Sequence, residues 1–280
     1  MTAEPVKQVP LEASSPFELR VDLARNVPES FVKNALESGS TGFLHSFTTG
    51  SAVDGPGVRL VAWTAGCPFK CVYCHNPDTW NMMNGMPVPI ERASEVISKY
   101  KNGLKIMNGG FTLSGGEPLF QHRFAARLFA AVKEMDVHTA IDTSGSLGAK
   151  LSDEELQNID LVLLCIKALD PEMHLQMTGK ELQPSLDFAT RLADLKRPMW
   201  LRYVLVPGLT DSDEYLGRMA EYMVELGNCE RVDIMPFHQM GRYKWERLGM
   251  KYTLDDIEPP DGAAITRACE AFRSAGLTAH

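Results

Sequence analysis

The sequence predicts an α/β fold, a partial (β/α)6 TIM-like barrel. Six strand-then-helix units follow one another from Gly42 onward, a pattern typical of a parallel sheet. Residue types that carry chemistry follow the ends of these strands, as they do in barrels whose active sites lie at the carboxyl end. Six units are too few to close an eight-stranded barrel, so a partial barrel fits better.

The strands are predicted from short apolar runs, and the helices from apolar residues that recur every three or four positions. Glycine, proline or a polar residue ends most of the apolar runs. The predicted strands are 58–65, 111–113, 139–141, 161–166, 200–206 and 231–235. The predicted helices are 90–101, 124–135, 186–195, 215–226 and 265–272.

The composition is that of a globular protein and excludes several classes of function. The 280 residues are 44% hydrophobic and 23% charged, with 28 Lys+Arg against 36 Asp+Glu. A dedicated nucleic-acid binder usually carries a basic face, so the net charge of −8 argues against nucleic acid as a partner. No apolar run approaches the roughly 18 residues that cross a membrane, so we expect no membrane partner.

The chain divides into an N-terminal extension and one domain. Residues 1–41 are rich in proline and show little periodicity, so we expect an extension that is partly disordered or packed on a domain formed by residues 42–280. Six cysteines are too few for a disulfide scaffold and indicate a reducing compartment. We therefore expect a cytoplasmic, anaerobic setting, and the extension leaves an organelle open.

Three of the cysteines lie on one short loop directly after the first predicted strand. Cys67, Cys71 and Cys74 have the spacing Cys-x3-Cys-x2-Cys. Three thiolates so placed can ligate three irons of a cubane 4Fe–4S cluster and leave the fourth iron open to a substrate. The alternative is a structural zinc site with His75 as fourth ligand, but such sites normally have two separated cysteine pairs.

A second motif, Ser-Gly-Gly-Glu-Pro, follows the second predicted strand. The pair Gly115 and Gly116 would let a ligand approach the main chain, and the carboxylate of Glu117 can pair with an ammonium group. Taken alone, such a sequence is more often a tight turn.

Together, the cysteine spacing, the aromatic Tyr73 before the last cysteine and the Gly-Gly-Glu motif resemble the radical S-adenosylmethionine (SAM) superfamily. Further runs resemble its glycyl-radical-enzyme activases, of the type that acts on pyruvate formate-lyase. No additional cysteines lie between Cys74 and Ser114, where several other activases carry a ferredoxin-like insert. The likeness extends from about Gly42 to about Pro260, through residues 54–59, 74–80, 142–145, 200–208 and 235–245.

The resemblance implies two cofactors, a 4Fe–4S cluster on Cys67, Cys71 and Cys74, and SAM. Glu117 would hold the methionine amino group, and Asp54 would contact the glycyl loop of the partner. The residues that the resemblance assigns to SAM are Tyr73, His75, Gly115, Gly116, Glu117, Asp142, Cys165, Ile166, Lys167, Arg202 and His238.

Simpler interpretations stay open for several of these residues. Lys167 could reach out to solvent, and Arg202 could form a plain salt bridge. His238 and Cys165 could be core residues, and Asp54 could serve only its own turn.

The chain departs from the family at one position. Cys165-Ile166-Lys167 stands where the family usually has Asp-x-Lys. In that family, this Asp and the counterpart of Asp142 build a monovalent-cation site for Na⁺ or K⁺. Cysteine is a poor ligand for such cations, so the site could be lost or be completed by carbonyls, Thr143 and water.

The expected function is the activation of a glycyl radical enzyme, pyruvate formate-lyase, by a monomer that receives electrons from flavodoxin or ferredoxin. Three alternatives stay open: an activase of another glycyl radical enzyme, a radical SAM enzyme that acts on a small molecule, and an iron–sulfur electron carrier.

Overall fold

A single sheet of eight strands organises the part of the chain that the structure describes. The computed structural model describes residues 19–280. The strands are β1 (Thr41–Ser51), β2 (Arg59–Thr64), β3 (Met86–Pro89), β4 (Gly110–Gly115), β5 (His138–Thr143), β6 (Leu161–Leu164), β7 (Met199–Leu205) and β8 (Cys229–Pro236). Their order in the sheet is β3-β1-β2-β4-β5-β6-β7-β8.

Six of these strands are parallel, as predicted. β2, β4, β5, β6, β7 and β8 each run parallel to the next. Their carboxyl ends therefore meet at one edge of the sheet. The open sheet is consistent with the predicted partial barrel.

The two remaining strands were not predicted. β1 is antiparallel to β2, and β3 is antiparallel to β1. The first seven residues of β1 are all buried, including His45 and Ser46, so the strand lacks the alternation that marks a half-exposed strand. β3 has only four residues and contains Pro87 and Pro89, which restrict it to the edge of a sheet.

Within residues 19–280, five helices confirm the predicted ones with shifted ends: Ile90–Ile106, His122–Glu134, Gln183–Asp194, Asp213–Leu226 and Gly262–Ser274. Four further helices in this part of the chain were not predicted. The longest of the added helices has ten residues. The helices are α1 (Glu29–Ser38), α2 (Ile90–Ile106), α3 (His122–Glu134), α4 (Asp153–Leu156), α5 (Pro171–Thr178), α6 (Gln183–Asp194), α7 (Asp213–Leu226), α8 (Arg242–Arg247) and α9 (Gly262–Ser274).

The main hydrophobic core lies between the sheet and its covering helices. Phe111 and Leu113 of β4 face this core, and the ring of Phe111 packs edge-on against that of Phe129 on α3, with 6.3 Å between centroids. Leu161 and Leu163 of β6 belong to a separate, smaller apolar cluster. Val162 and Leu164 of the same strand belong to the main core, so successive residues of β6 face opposite sides of the sheet.

Residues 19–38 pack against the domain. Ala24 and Ala35 are buried against Phe43 of β1, and Arg127 on α3 donates a hydrogen bond to the Ser38 carbonyl at 2.8 Å. The proposed division between residues 1–41 and 42–280 stays a prediction, and residues 1–18 of the extension lie outside the described residues. Within residues 19–280, every helix is too short or too polar to cross a bilayer.

Arg59 links three parallel strands at the edge opposite their carboxyl ends. Its side chain is fully buried and donates to Thr112 Oγ1 at 3.0 Å and to the Phe111 carbonyl at 2.6 Å. A ring nitrogen of His138 lies 3.1 Å from Nη1. Burial lowers the pKa of Arg59 to about 10.

Replacing this arginine should destabilise the sheet. Arg59→Met should lower the free energy of unfolding by about 2–4 kcal/mol, because buried acceptors lose their donor. The measurement is urea denaturation followed by circular dichroism. The control is Arg92→Met on α2, where the arginine is exposed and the change should stay within about 0.5 kcal/mol. Equal stability of the two variants would show that Arg59 does not link the strands.

Candidate active site

A cavity of about 300 Å³ opens at the carboxyl ends of the parallel strands. It brings together nearly all the residues that the sequence singled out. They are Asp54, Cys67, Cys71, Tyr73, Cys74, His75, Gly115, Gly116, Glu117, Asp142, Thr143, Cys165, Lys167, Arg202 and His238.

Ile166 is the predicted residue that does not line this cavity. Its side chain is buried in the main core, with 1% of its surface exposed. A contact with SAM through the Ile166 backbone stays a prediction.

The loop that carries the three cysteines is closed on itself by backbone hydrogen bonds. Gly66 N–H donates to the Thr79 carbonyl at 2.7 Å, and Cys67 N–H donates to the Trp80 carbonyl at 3.2 Å. Farther along, Val72 N–H donates to the Met177 carbonyl at the end of α5 at 2.9 Å. The thiols therefore lie on a loop that is anchored at both ends and along its length.

The chemistry of the three thiols fits an iron–sulfur cluster. Burial raises the pKa of Cys71 to about 12 and also raises the pKa values of Cys67 and Cys74. Thiolates at such positions need compensating positive charge, which the irons of a cluster supply. In the described part of the chain, no three His, Cys, Asp or Glu side chains group closely enough to hold a single metal ion.

Glu117 connects the Gly-Gly-Glu loop to the end of β5. Its Oε1 accepts hydrogen bonds from Thr143 Oγ1 at 2.6 Å and from Leu119 N–H at 3.1 Å. Its Oε2 accepts from the hydroxyl and the backbone N–H of Ser144 at 2.6 and 2.9 Å. Burial raises the pKa of this carboxyl despite these bonds. These four hydrogen bonds use the usual acceptor sites of a carboxylate. Glu117 therefore holds the Gly-Gly-Glu loop against the end of β5.

Arg202 on β7 joins two acidic residues at the rim. Its Nη1 lies 2.8 Å from Asp142 Oδ2 and 3.2 Å from Asp54 Oδ1. Burial would lower the pKa of Arg202, but the charges of Asp142 and Asp54 raise it above its ordinary value. The salt bridge that the sequence left open is therefore present. Among the atoms that the structure describes, Arg202 Nε is buried without a hydrogen-bond partner.

The side chain of Lys167 extends into the cavity toward the sulfur of Cys165. Its Nζ lies 2.6 Å from Cys165 Sγ and 5.9 Å from the centroid of the Tyr73 ring. Cys165 Sγ also lies 3.3 Å from the Arg202 carbonyl. Cys165 is thus half-buried in a polar environment, which differs from the apolar core position considered from the sequence.

The side chains that were predicted to bind a monovalent cation already form hydrogen bonds with other residues. Asp142 Oδ2 accepts from Ser114 Oγ at 2.8 Å as well as from Arg202. Thr143 Oγ1 donates to Glu117 and accepts from Gly145 N–H at 3.0 Å. A Na⁺ or K⁺ ion at Asp142 and Thr143 stays a prediction.

His75 and His238 form one side of the cavity. Their rings pack edge-on with 4.6 Å between centroids. Burial, followed by the proximity of His238 and Lys244, lowers the pKa of His75 to about 4, so its ring is neutral at pH 7. These two rings provide an aromatic wall with polar ring nitrogens.

Sequence reasoning missed a buried ion cluster behind the cysteine loop. Lys244 Nζ on α8 lies 3.0 Å from Asp78 Oδ2, and His45 Nε2 lies 3.1 Å from the same oxygen. Lys244 also donates to Asn76 Oδ1 at 2.9 Å. Burial alone would raise the pKa of Asp78, but the His45 hydrogen bond and the Lys244 charge lower it overall. Asn76, Asp78 and Lys244 lie in the runs 74–80 and 235–245 that carry the resemblance, but the sequence analysis assigned them no role.

Comparison with known proteins identifies the class of the site. Residues 53–183 match a family model described as a 4Fe-4S single cluster domain. This match favours a 4Fe–4S cluster over zinc. The sheet resembles that of a radical SAM methyltransferase from Sphaerobacter thermophilus, with a TM-score of 0.56 and 16% identity over 79% of this chain and 65% of that one. A domain of a pyruvate-formate lyase-activating enzyme from Bacteroides vulgatus matches with a TM-score of 0.51 and 21% identity, over 61% of this chain and 98% of that one.

The fold and the thiol loop thus define an α/β iron–sulfur protein with the fold of radical SAM enzymes. Curated relatives narrow the class further. The chain is 43% identical over 234 residues to the pyruvate formate-lyase-activating enzyme of Staphylococcus aureus, an alignment that covers 81% of this chain and 93% of the relative. The chain belongs to the family of pyruvate formate-lyase-activating enzymes.

The buried Asp78–Lys244 pair should matter for stability. Lys244→Met should lower the free energy of unfolding by about 3–5 kcal/mol, because it leaves the Asp78 carboxylate buried with only His45 beside it. Guanidinium denaturation of the cluster-free protein measures the change. Lys251→Met, at an exposed position nearby, serves as the control and should change stability by less than about 0.5 kcal/mol. A Lys244→Met protein as stable as the control would contradict this role.

Proposed function

We propose that this protein activates a glycyl radical enzyme, pyruvate formate-lyase, by reductive cleavage of SAM at a 4Fe–4S cluster on Cys67, Cys71 and Cys74. The observation that carries the proposal is the convergence of these thiols and the Gly-Gly-Glu loop on one cavity at the carboxyl ends of parallel strands. The named relatives support the same partner.

The cofactors supply the difficult chemistry. Held by Cys67, Cys71 and Cys74, the cluster would supply one electron for the reductive cleavage of the SAM S–C5′ bond, and the 5′-deoxyadenosyl radical so obtained, with methionine as the other product, would supply the abstraction of the Cα hydrogen of one partner glycine. The protein supplies ligands, orientation and exclusion of water, and no side chain needs to act as a general acid or base.

Lys167 is proposed to bind the SAM carboxylate. Its ammonium lies within the cavity beside the Cys165 thiol, and a buried ammonium is costly without an anionic partner. A carboxylate ligand would provide that partner. Arg202 would act beside it and keep Asp142 in position through their 2.8 Å contact.

The methionine amino group is proposed to bind along Gly115 and Gly116. Both residues line the cavity, and Glu117 fixes the loop through Thr143 and Ser144. The carboxylate of Glu117 already accepts four hydrogen bonds. Glu117 would therefore help to hold the amino group in two ways, by orienting Thr143, Ser144 and the glycine loop and by adding negative charge near the ammonium. Tyr73, His75 and His238 would contact the adenosine.

The glycine loop of the partner is proposed to enter at the mouth of the cavity, beside Asp54. Ser51 Oγ and Arg202 hold the Asp54 carboxylate, at 2.6 and 3.2 Å, so Asp54 offers an oriented contact. The loop must leave its place in the partner, so we expect a conformational change there. We also propose that flavodoxin or ferredoxin donates the electrons, that the protein is a monomer and that it is located in the cytoplasm.

The cluster assignment predicts a loss of SAM cleavage. Cys67→Ala, Cys71→Ala or Cys74→Ala should abolish the formation of 5′-deoxyadenosine, measured with dithionite as reductant, because one iron loses its ligand. Cys229→Ala, at the opposite end of β8, should keep the parent rate. Cleavage at the parent rate in any of the first three variants would refute the assignment.

The partner assignment predicts a radical signal. The reconstituted, photoreduced protein, mixed with SAM and pyruvate formate-lyase, should give the doublet of a glycyl radical in the EPR spectrum. 5′-Deoxyadenosine without the doublet would indicate another substrate within the radical SAM class. A protein with an intact cluster that forms neither product would be an electron carrier instead.

A further inference from the structure

We propose that the ammonium group of Lys167, held by the Cys165 sulfur, is the cation that binds the SAM carboxylate in this protein, so that SAM binding requires neither Na⁺ nor K⁺. This inference rests on the SAM site proposed above and deepens it. It concerns the position at which the chain departs from the family pattern, with Cys165 in place of an aspartate.

Position 165 lies directly beside the residues that were predicted to bind a monovalent cation. Asp142 and Thr143 at the end of β5 pair with Leu163 and Leu164 at the end of β6. Cys165 N–H then donates to the Thr143 carbonyl at 2.9 Å. Asp142, Thr143 and Cys165 all line the cavity. A cation on Asp142 and Thr143 would therefore have the side chain of residue 165 as its neighbour.

The side chain at position 165 is a sulfur that already has two partners. Cys165 Sγ accepts a hydrogen bond from Lys167 Nζ at 2.6 Å and donates one to the Arg202 carbonyl at 3.3 Å. Alkali cations prefer oxygen ligands, so a sulfur adds little to a site for Na⁺ or K⁺. The positive group that position 165 does hold is the ammonium of Lys167.

The oxygens nearest to position 165 are also in use. Asp142 Oδ2 accepts hydrogen bonds from Ser114 Oγ and from Arg202 Nη1, both at 2.8 Å. Thr143 Oγ1 accepts from Gly145 N–H at 3.0 Å, and the Thr143 carbonyl accepts the backbone bond described above. An alkali ion would have to compete for these oxygens with donors that already hold them. The donor set therefore does not fit a Na⁺ or K⁺ ion.

The charges around this side of the cavity balance without an added ion. Arg202 pairs with Asp142 and Asp54 at 2.8 and 3.2 Å, and Lys167 supplies a second positive charge. The carboxylate of Glu117 has the methionine amino group of SAM as its proposed partner. An aspartate at position 165 would add one more carboxylate, which an alkali ion would neutralise, but the cysteine brings none. An ion here would instead add positive charge beside a guanidinium and an ammonium.

Cys165 also leaves Lys167 able to bind a carboxylate. An ammonium group has three N–H donors, so its bond to the sulfur leaves two for another acceptor. The face of the Tyr73 ring, with its centroid 5.9 Å from Nζ, limits where the ammonium can lie. A buried ammonium without an anion is costly, which favours the SAM carboxylate as its partner. Lys167 thus serves as a fixed cation that belongs to the chain.

The first test is the salt dependence of SAM binding to the cluster-loaded parent protein. Isothermal titration calorimetry under anaerobic conditions measures the dissociation constant of SAM in KCl, NaCl and choline chloride at equal ionic strength. Choline cannot fill a site for an alkali ion. The dissociation constant should be the same in all three salts. Tighter binding in KCl or NaCl than in choline chloride would overturn the proposal.

The second test restores an oxygen ligand at position 165. Cys165→Asp places a carboxylate beside Asp142, so its SAM affinity should become about fivefold or more tighter in KCl or NaCl than in choline chloride. Cys165→Ala is the matched control, and its SAM affinity should stay independent of the salt. Circular dichroism and iron and sulfide analysis show that each variant is folded and holds its cluster. A folded Cys165→Asp protein as indifferent to the salt as the parent would contradict the role of this position.

The third test observes the ion itself. In choline buffer with a little NaCl, the ²³Na NMR line should show broadening that KCl abolishes when the SAM-bound Cys165→Asp protein is present. The SAM-bound parent should show no such broadening. Broadening in the parent that KCl abolishes would reveal a bound ion and overturn the proposal.

The fourth test removes the ammonium. Lys167→Met should weaken SAM binding equally in all three salts, whereas Lys180→Met, at an exposed position outside this cavity, should bind SAM like the parent. A Lys167→Met protein with parent affinity would refute the role of Lys167. A parent protein with a complete cluster that binds no SAM in any salt would refute the proposed function itself, whereas salt-dependent binding would refute this inference alone.

Discussion

The close approach of the main chains at the ends of β2 and β4 is the constraint on which the site depends. Gly115 pairs with Thr64, and a Cβ atom on Gly115 would lie 2.2 Å from the Thr64 nitrogen. Gly115 also has a φ of +120°, which glycine alone adopts readily. Gly116 N–H then donates to the Thr64 carbonyl at 2.8 Å, and Glu117 N–H donates to the Gly66 carbonyl at 2.9 Å. These hydrogen bonds hold the thiol loop and the Gly-Gly-Glu loop side by side in one wall of the cavity.

Buried charge is the second organising feature around this wall. Arg202 joins Asp142 and Asp54 across three separate parts of the chain, and Lys244 joins α8 to Asp78, just after the cysteine loop. Breaking such a pair is costly because the remaining charge stays buried. The pairs therefore keep the mouth and the back of the cavity in one geometry. Lys167 differs from them, since its contacts in the cavity are a thiol and an aromatic ring, which suits a residue that receives an anionic ligand.

The segment after β8 connects the cysteine loop to the rest of the domain. Phe237, Trp245, Tyr252 and Leu254 form an apolar cluster of their own, separate from the main core. Partly buried residues of the cysteine loop, including Val72, Tyr73, Cys74 and Trp80, pack against this cluster. The chain therefore supports its thiol loop with a set of apolar contacts that lies outside the main core.

The sequence by itself determined the features that are local in the chain. The six parallel strands follow from short apolar runs, and the three thiols and the Gly-Gly-Glu motif each lie within a few residues. The burial of His45 in β1 and the partners of Trp80 and Lys244 depended on the tertiary structure. The Arg202–Asp54 pair joins residues 148 positions apart, and the Lys244–Asp78 pair joins residues 166 apart. Periodicity reports only which face of its own element a side chain occupies, so it cannot predict contacts between side chains that folding alone brings together.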